Sequence, residues 1–178
     1  GKKPMVKYWL HNGFITINSE KMSKSLNNFF LVKDVLEHYS PDALRFFLIS
    51  NHYRSPLDFS DERLEEMTRS LERLGTAIDN VLELLAMPAG AKSPEAKQLL
   101  ETAHKDEEDF ENAMCDDFNT ALASAAMFDL AKNVNIFKNA VVNNGVPRRF
   151  GSHVGSQARL QDLHGYPRHP RRPLDRQE

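Results

Sequence analysis

The chain has 178 residues, 40% of them apolar and 27% charged, with a formal net charge of −2, which suits one ordinary domain or two small ones around a genuine core. No apolar run approaches the roughly eighteen residues of a membrane span, and Gly1-Lys2-Lys3-Pro4 is not followed by a signal-like stretch, so a cytoplasmic, non-membrane protein is expected. Cys115 is the only cysteine, which excludes an intrachain disulfide and a cysteine-rich metal site.

Pro4 to His11, with Val6, Trp9 and Leu10, reads as the end of a helix stopped by Asn12-Gly13. Phe14-Ile15-Thr16-Ile17 alternates bulky and β-branched residues and predicts a short strand. Asn18-Ser19-Glu20 then turns the chain into Lys21-Met22-Ser23-Lys24-Ser25-Leu26-Asn27-Asn28. Lysine ammonium groups act as mobile point charges toward phosphate oxygens, and serine hydroxyls donate or accept in the same place. The segment therefore has the chemistry of a flexible polyphosphate clamp. Taken alone, two lysines three apart read first as a solvated surface turn, since most charges are simply exposed.

After an apolar anchor at Phe29-Phe30-Leu31, Val32, Val35, Leu36 and Tyr39 line one face of a short helix. Ser40-Pro41-Asp42 restarts the chain with an N-cap, a proline at the first helical position and an acid in the first turn. Ala43, Leu44, Phe46, Phe47, Leu48 and Ile49 predict a helix buried on most sides, with Arg45 seeking a partner or solvent. Asn51 to Ser60 is read as a connection, in which Arg54 either braces the loop over Tyr53 or meets nucleic acid.

From Asp61, behind a Ser60 cap, Leu64, Met67, Leu71, Leu74, Ile78, Val81, Leu82 and Leu85 predict a helix of roughly seven turns. It ends at Met87-Pro88-Ala89-Gly90. Ser93-Pro94-Glu95 opens a second helix with Leu99, Leu100, Ala103, Phe110 and Met114 inside and acids outside. Asp116 to Asn119 breaks it, and Thr120 begins a third with Leu122, Ala125, Phe128 or Met127, Leu130, Ala131, Val134, Phe137 and Val141 inside. The expected fold is mainly α: a short strand that delivers the lysine loop at its carboxyl end, as open α/β sheets do, followed by an antiparallel helical bundle.

The lysine segment matches the signature (KMSKS) loop of class I aminoacyl-tRNA synthetases. Tyr8-Trp9-Leu10-His11-Asn12-Gly13-Phe14, Asn28-Phe29-Phe30, Asp42-Ala43-Leu44-Arg45-Phe46-Phe47-Leu48, His52-Tyr53-Arg54-Ser55-Pro56-Leu57 and Asp116-Asp117-Phe118-Asn119-Thr120-Ala121 resemble a bacterial-type cysteinyl-tRNA synthetase over residues 1 to 144. The resemblance implies residues 1–58 as the end, or remnant, of a Rossmann-like catalytic domain with its connecting region and 59–144 as a tRNA-side helical domain. It implies ATP with magnesium, cysteine and tRNA(Cys) as ligands of a monomeric enzyme that forms cysteinyl-adenylate and transfers cysteine to tRNA. Lys21 and Lys24 would stabilise charge on the departing β,γ-phosphates, Lys24 most directly. Met22, Ser23 and Ser25 would complete the ATP-binding loop, with Met22 and Leu26 as apolar anchors. Asn27 departs from the family's usual glycine, a residue type that tolerates the same left-handed turn.

No H-I-G-H element occurs, and the zinc of the family is held by residues N-terminal to this region. The chain alone is therefore expected not to aminoacylate. Cys115 and the scattered His11, His38, His52 and His104 are assigned neither metal nor catalysis. Two further readings stand beside the synthetase: a related ATP-dependent ligase joining cysteine to an amino sugar, and a non-catalytic tRNA-binding module.

Residues 145–178 differ from the rest. Residues 1–144 use 11 lysines and 5 arginines with 22 acids, whereas 145–178 use no lysine and 7 arginines with 3 acids. The segment reads as a disordered tail for want of apolar surface, as a basic arm of Arg148, Arg149, Arg159, Arg168, Arg171, Arg172 and Arg176 for RNA phosphates, or as out-of-frame translation. The last is preferred, because the lysine-to-arginine switch coincides with the end of the resemblance.

Overall fold

A computed structural model describes residues 5–17, 19–23, 31–87 and 93–144. The strands are β1 (Ile15–Ile17), β2 (Glu20–Lys21) and β3 (Leu57–Phe59), and the helices are α1 (Val32–His38), α2 (Pro41–Ile49), α3 (Asp61–Ala86), α4 (Pro94–Cys115) and α5 (Thr120–Asn144). The strands form one small sheet in the order β2-β1-β3. β1 and β2 are an antiparallel hairpin pairing Thr16 with Lys21, and β1 and β3 run parallel, pairing Ile15 with Leu57 and Ile17 with Phe59.

Two expectations near this sheet are corrected. Residues 5–14 form no helix; they approach the 53–57 segment, with the Gly13 N–H donating to the Tyr53 carbonyl at 2.8 Å and the Leu57 N–H to that of Phe14 at 3.0 Å. A Cβ on Gly13 would lie 2.2 Å from the Ser55 carbonyl oxygen and 2.8 Å from the Pro56 nitrogen. The glycine read as a helix stop is there so that two backbones can touch. The Asn51–Ser60 connection likewise contains β3, whose three residues are too few to show a period of their own.

Three helices start where their caps predict. The Ser40, Ser60 and Ser93 hydroxyls accept from the backbone N–H groups of Ala43, Arg63 and Ala96 at 3.1, 3.3 and 3.1 Å. Each satisfies a donor that the helix cannot, a gain of about 1 kcal/mol. Asn119 caps α5 in the same way, its Oδ1 accepting from Leu122 N–H at 3.1 Å.

Packing assigns the faces differently from periodicity. In α2 only Ala43, Phe46 and Phe47 are buried, while Leu48 and Ile49 are exposed, because the helix meets α3 along one face. Val32 and Leu36 of α1 are also exposed, leaving Val35 as its buried residue. In α3 the deepest positions are Leu64, Ser70, Ala77 and Leu84. Of the expected stripe only Leu64 lies among them; the others are half-buried. In α4 they are Ala96, Asp106 and Ala113, with Leu100 and Phe110 exposed, and in α5 Ala123 and Ala126 are buried whereas Leu122 is exposed. Small residues occupy the contact lines where helices approach closely, and this displaces leucines to their flanks.

Successive helices of the bundle are antiparallel, so α3 and α5 run parallel. Arg73 stacks on Phe128 at 5.3 Å, Asn80 donates to Asn135 at 2.6 Å, and Leu84 packs with Phe137 and Val141. Lys138 donates to Asn80 Oδ1 at 2.6 Å and pairs with Glu83, which satisfies the half-buried polar groups of this seam.

Two hydrophobic clusters result. One joins Ile17, Val35, Phe47, Leu57, Phe59 and Leu64, with Met22, Tyr39, Leu44 and Met67 against it; the other joins Leu84, Ala96, Phe137 and Val141, with Leu99 against it. Helix α3 enters both, at Leu64 and at Leu84, about 30 Å apart at 1.5 Å per residue.

Candidate functional site: the lysine hairpin and its brace

The hairpin β1–β2 delivers the lysine segment. Ser19 in its turn has φ 66°, a left-handed conformation that costs a non-glycine residue about 1–2 kcal/mol and must be held. Asp58 on β3 holds it. One carboxylate oxygen, Oδ1, accepts from Ser19 N–H at 2.8 Å and from the Thr16 hydroxyl at 2.7 Å. The Ser19 amide first, then Thr16, with Arg63 nearby, draws the Asp58 carboxyl below its ordinary range. Sequence reasoning missed Asp58, since its partners are some forty positions away and only the parallel β1–β3 register brings them together.

Lys21 ends β2 and is exposed, with its ammonium 5.6 Å from the centre of the Phe14 ring. Met22 is partly buried against the first cluster, so the root of the loop is pinned to apolar surface as its side chain suggests. Ser23 is half-buried. Lys24 and Ser25, with Leu26, Asn27, Phe29 and Phe30, lie outside the described residues, as do Pro88, Ala89, Gly90 and residues 145–178.

A second constellation joins the connection after α2 to the corner between α4 and α5. Arg54 grips Asp117 with two donors, Nε to Oδ2 at 2.6 Å and Nη2 to Oδ1 at 3.0 Å. The Tyr53 hydroxyl donates to Asp117 Oδ1 at 2.7 Å, and His52 Nε2 lies 3.7 Å from Oδ2. The Arg54 guanidinium sits 5.1 Å over the Tyr53 ring, which stacks on His52 at 5.0 Å. Of the two readings of Arg54, the geometry is that of a brace. Bidentate pairing fixes orientation as well as distance, and together Arg54 and Tyr53 draw Asp117 down to about 2. The corner itself is unusual, since Asp117 and Phe118 both have positive φ, 53° and 55°.

Residues 1–69 match the family model described as the tRNA synthetases class I (C) catalytic domain, and residues 109–160 match the DALR domain. Cysteine–tRNA ligases are similar to the chain over about three-quarters of its length: that of Desulforamulus reducens is 52% identical over 138 residues, and that of Geobacter sp. strain M21 is 54% identical over 136. The chain belongs to the cysteinyl-tRNA synthetase family. These matches take in 76% and 75% of the chain and 28% of each relative, so the chain spans little more than a quarter of the curated relatives it matches. The LeuRS chain in the crystal structure of an Agrobacterium radiobacter K84 LeuRS–tRNA–LeuAMS complex superposes with a TM-score of 0.59 at 21% identity, over 71% of this chain and 17% of that one; this likeness is one of fold.

The hairpin constellation lies within the first matched region, and the brace joins the first to the second. Lys21, Asp58 and Arg54 lie in the catalytic-domain match, and Asp117 lies in the DALR match. The DALR match also runs to residue 160, so family likeness extends past Asn144, where the sequence reading ends it. Among the described residues no group of three His, Cys, Asp or Glu side chains could hold a metal ion. No helix among them is long and apolar enough to cross a membrane.

Proposed function

We propose that this chain is the lysine-loop and DALR portion of a cysteine–tRNA ligase, which activates cysteine with ATP and magnesium to cysteinyl-adenylate and transfers it to tRNA(Cys). The observation that carries the reading is identity above 50% to such ligases over about three-quarters of the chain, with the lysine segment and both sides of the braced corner inside the two family matches. Residues 1–58 close the catalytic domain, 59–144 begin the tRNA-side domain, and the same reading makes the parent a cytoplasmic monomer.

Lys21 and Lys24 act on the β,γ-phosphates. Their ammonium groups meet the charge that develops as pyrophosphate leaves, which lowers the barrier more than it tightens ground-state binding. Met22 ties the loop root to the core, while Ser23 and Ser25 keep the loop polar. Asp58 is a positioning residue, acting on the loop only through the Ser19 turn.

Two experiments test the reading. The 178-residue chain by itself gives no cysteine-dependent ATP–pyrophosphate exchange. A hybrid in which it replaces the matched stretch of the Desulforamulus reducens ligase retains exchange, and Lys24→Ala in that hybrid lowers kcat by about 10²–10³-fold, as for the loss of one preorganised charge-stabilising donor. A folded hybrid that exchanges pyrophosphate with no amino acid preference for cysteine would overturn the assignment. Unchanged kcat in Lys24→Ala would remove the lysine role alone. The amino-sugar ligase is separated by the acceptor: a hybrid that charges tRNA(Cys) excludes it.

A further inference from the structure

The segment between α2 and α3 belongs to both constellations, and its two ends are held by parts of the chain far apart in sequence. At its start the Asn51 carbonyl accepts from the Thr120 hydroxyl at 3.5 Å, and Tyr53 and Arg54 hold Asp117. At its finish Asp58 holds the Ser19 turn. Between them the Ser55 N–H donates to the His52 carbonyl at 2.9 Å, and Asn51 Nδ2 donates to that of Pro56 at 3.4 Å. The stretch also lies so close to Gly13 that a Cβ there would meet the Ser55 carbonyl oxygen at 2.2 Å.

The corner that receives this segment is tightly wound. Asp117 and Phe118 both have positive φ, and the Asn119 N–H is shared between the Ala113 and Asp116 carbonyls at 3.0 and 3.2 Å. Strand β3, in contrast, is three residues long. Burial of Leu57 and Phe59 fixes the face it turns to the core, but hydrophobic contact is non-directional and does little to stop a slide along β1. Asp58 tolerates no such slide. Its Oδ1 serves the Ser19 N–H at 2.8 Å and the Thr16 hydroxyl at 2.7 Å together, and such bonds are lost beyond about 3.5 Å. The few ladder bonds of so short a strand leave its position along β1 to be set at its ends, and the upstream end is the brace.

We propose that Arg54 and Asp117 are positioning residues for the lysine hairpin: by tying residues 51–58 to the α4–α5 corner they keep Asp58 under the Ser19 turn, and so keep the root of the lysine loop in place for its phosphate chemistry. The consequence for catalysis rests on the ligase reading; the mechanical link from Asp117 to Ser19 does not.

Each half has its own measurement. In the 178-residue chain, amide hydrogen exchange reads the link. Asp117→Asn and Arg54→Gln each speed exchange at the Ser19 N–H about tenfold, the scale of one hydrogen bond to a charged acceptor, while the amides around Leu84 keep their rates. Either variant decides the matter if the other does not fold. Unaltered Ser19 exchange in a folded variant, or acceleration spread evenly as far as Leu84, overturns the proposal.

The hybrid with the Desulforamulus reducens ligase reads the consequence. There Asp117→Asn lowers kcat for cysteine-dependent ATP–pyrophosphate exchange by about 10–10²-fold, as for a misplacement of about 1 Å, with KM for cysteine unchanged. Added to Asp58→Asn it lowers kcat no further, because both act through one contact. A mere loss of folded enzyme would multiply the two effects, and that result overturns the proposal, as does an unchanged kcat. A hybrid without exchange before any substitution counts against the ligase reading, and Ser19 exchange then decides the link by itself.

Discussion

Asp117 carries more of the tertiary arrangement than its exposure suggests. It accepts from Arg54 and Tyr53 across more than sixty positions of sequence, and it does so at a corner that keeps two consecutive residues at positive φ. Its carboxyl stands at about 2 in the folded chain, against about 3.9 when unfolded. A depressed carboxyl contributes stability that is complete above the unfolded value and is lost as pH falls through the folded one. The stability difference between the native chain and Asp117→Asn should therefore be largest near neutrality and shrink steadily from about pH 5 to pH 2. Urea titrations of both across that range would show it. A difference that stays constant down to pH 2 would mean that the carboxylate charge is irrelevant to the brace. Neither this pairing nor that of Asp58 with Ser19 was legible in the sequence, because nothing local about an aspartate says which distant donors it will meet.

At the scale of elements, what the sequence shows is what local forces decide. The serine caps before α2, α3 and α4 stand where they are read, since a cap is settled within four residues. Helix faces are less local. Ser70, Ala77, Ala113, Ala123 and Ala126 are buried, and hydropathy alone favours the leucines beside them. The strand β3 and the extended approach to β1 were hidden for the same reason, as both exist only by pairing. Gly13 gives that pairing a direct test. Gly13→Ala forces a methyl into the Ser55 carbonyl, and overpacking of this kind costs about 1–3 kcal/mol. The loss should appear in thermal unfolding together with faster amide exchange at Leu57, which donates to Phe14. An unaltered melting temperature would show that the two segments can separate without cost.

At the scale of the whole molecule, the described residues form two modest cores threaded on one helix. Leu64 is fully buried in the first and Leu84 nearly so in the second. Leu64→Ala leaves a cavity among Phe47, Phe59 and Ile17, with an expected cost of about 2–5 kcal/mol. Because the clusters share no residue but the helix, hydrogen exchange should accelerate at β1, β3 and α2 while the amides around Phe137 keep their protection. Uniform acceleration along the chain would make the two cores a single cooperative unit.

The brace and the first core hold the same end of this assembly: Arg54 and Asp117 fasten the α4–α5 corner beside the strands that also receive Leu64. The opposite end, where α3 leaves its cluster and α4 begins, has no sheet to anchor it among the described residues. Any tilt of α3 about Leu64 is shared with α5 through the Asn80–Asn135 and Lys138–Asn80 contacts. A tilt of about 5° there carries Leu84 roughly 2.6 Å sideways over the ~30 Å between them, so small angular changes at the sheet end become displacements of side-chain size at the far end of the bundle.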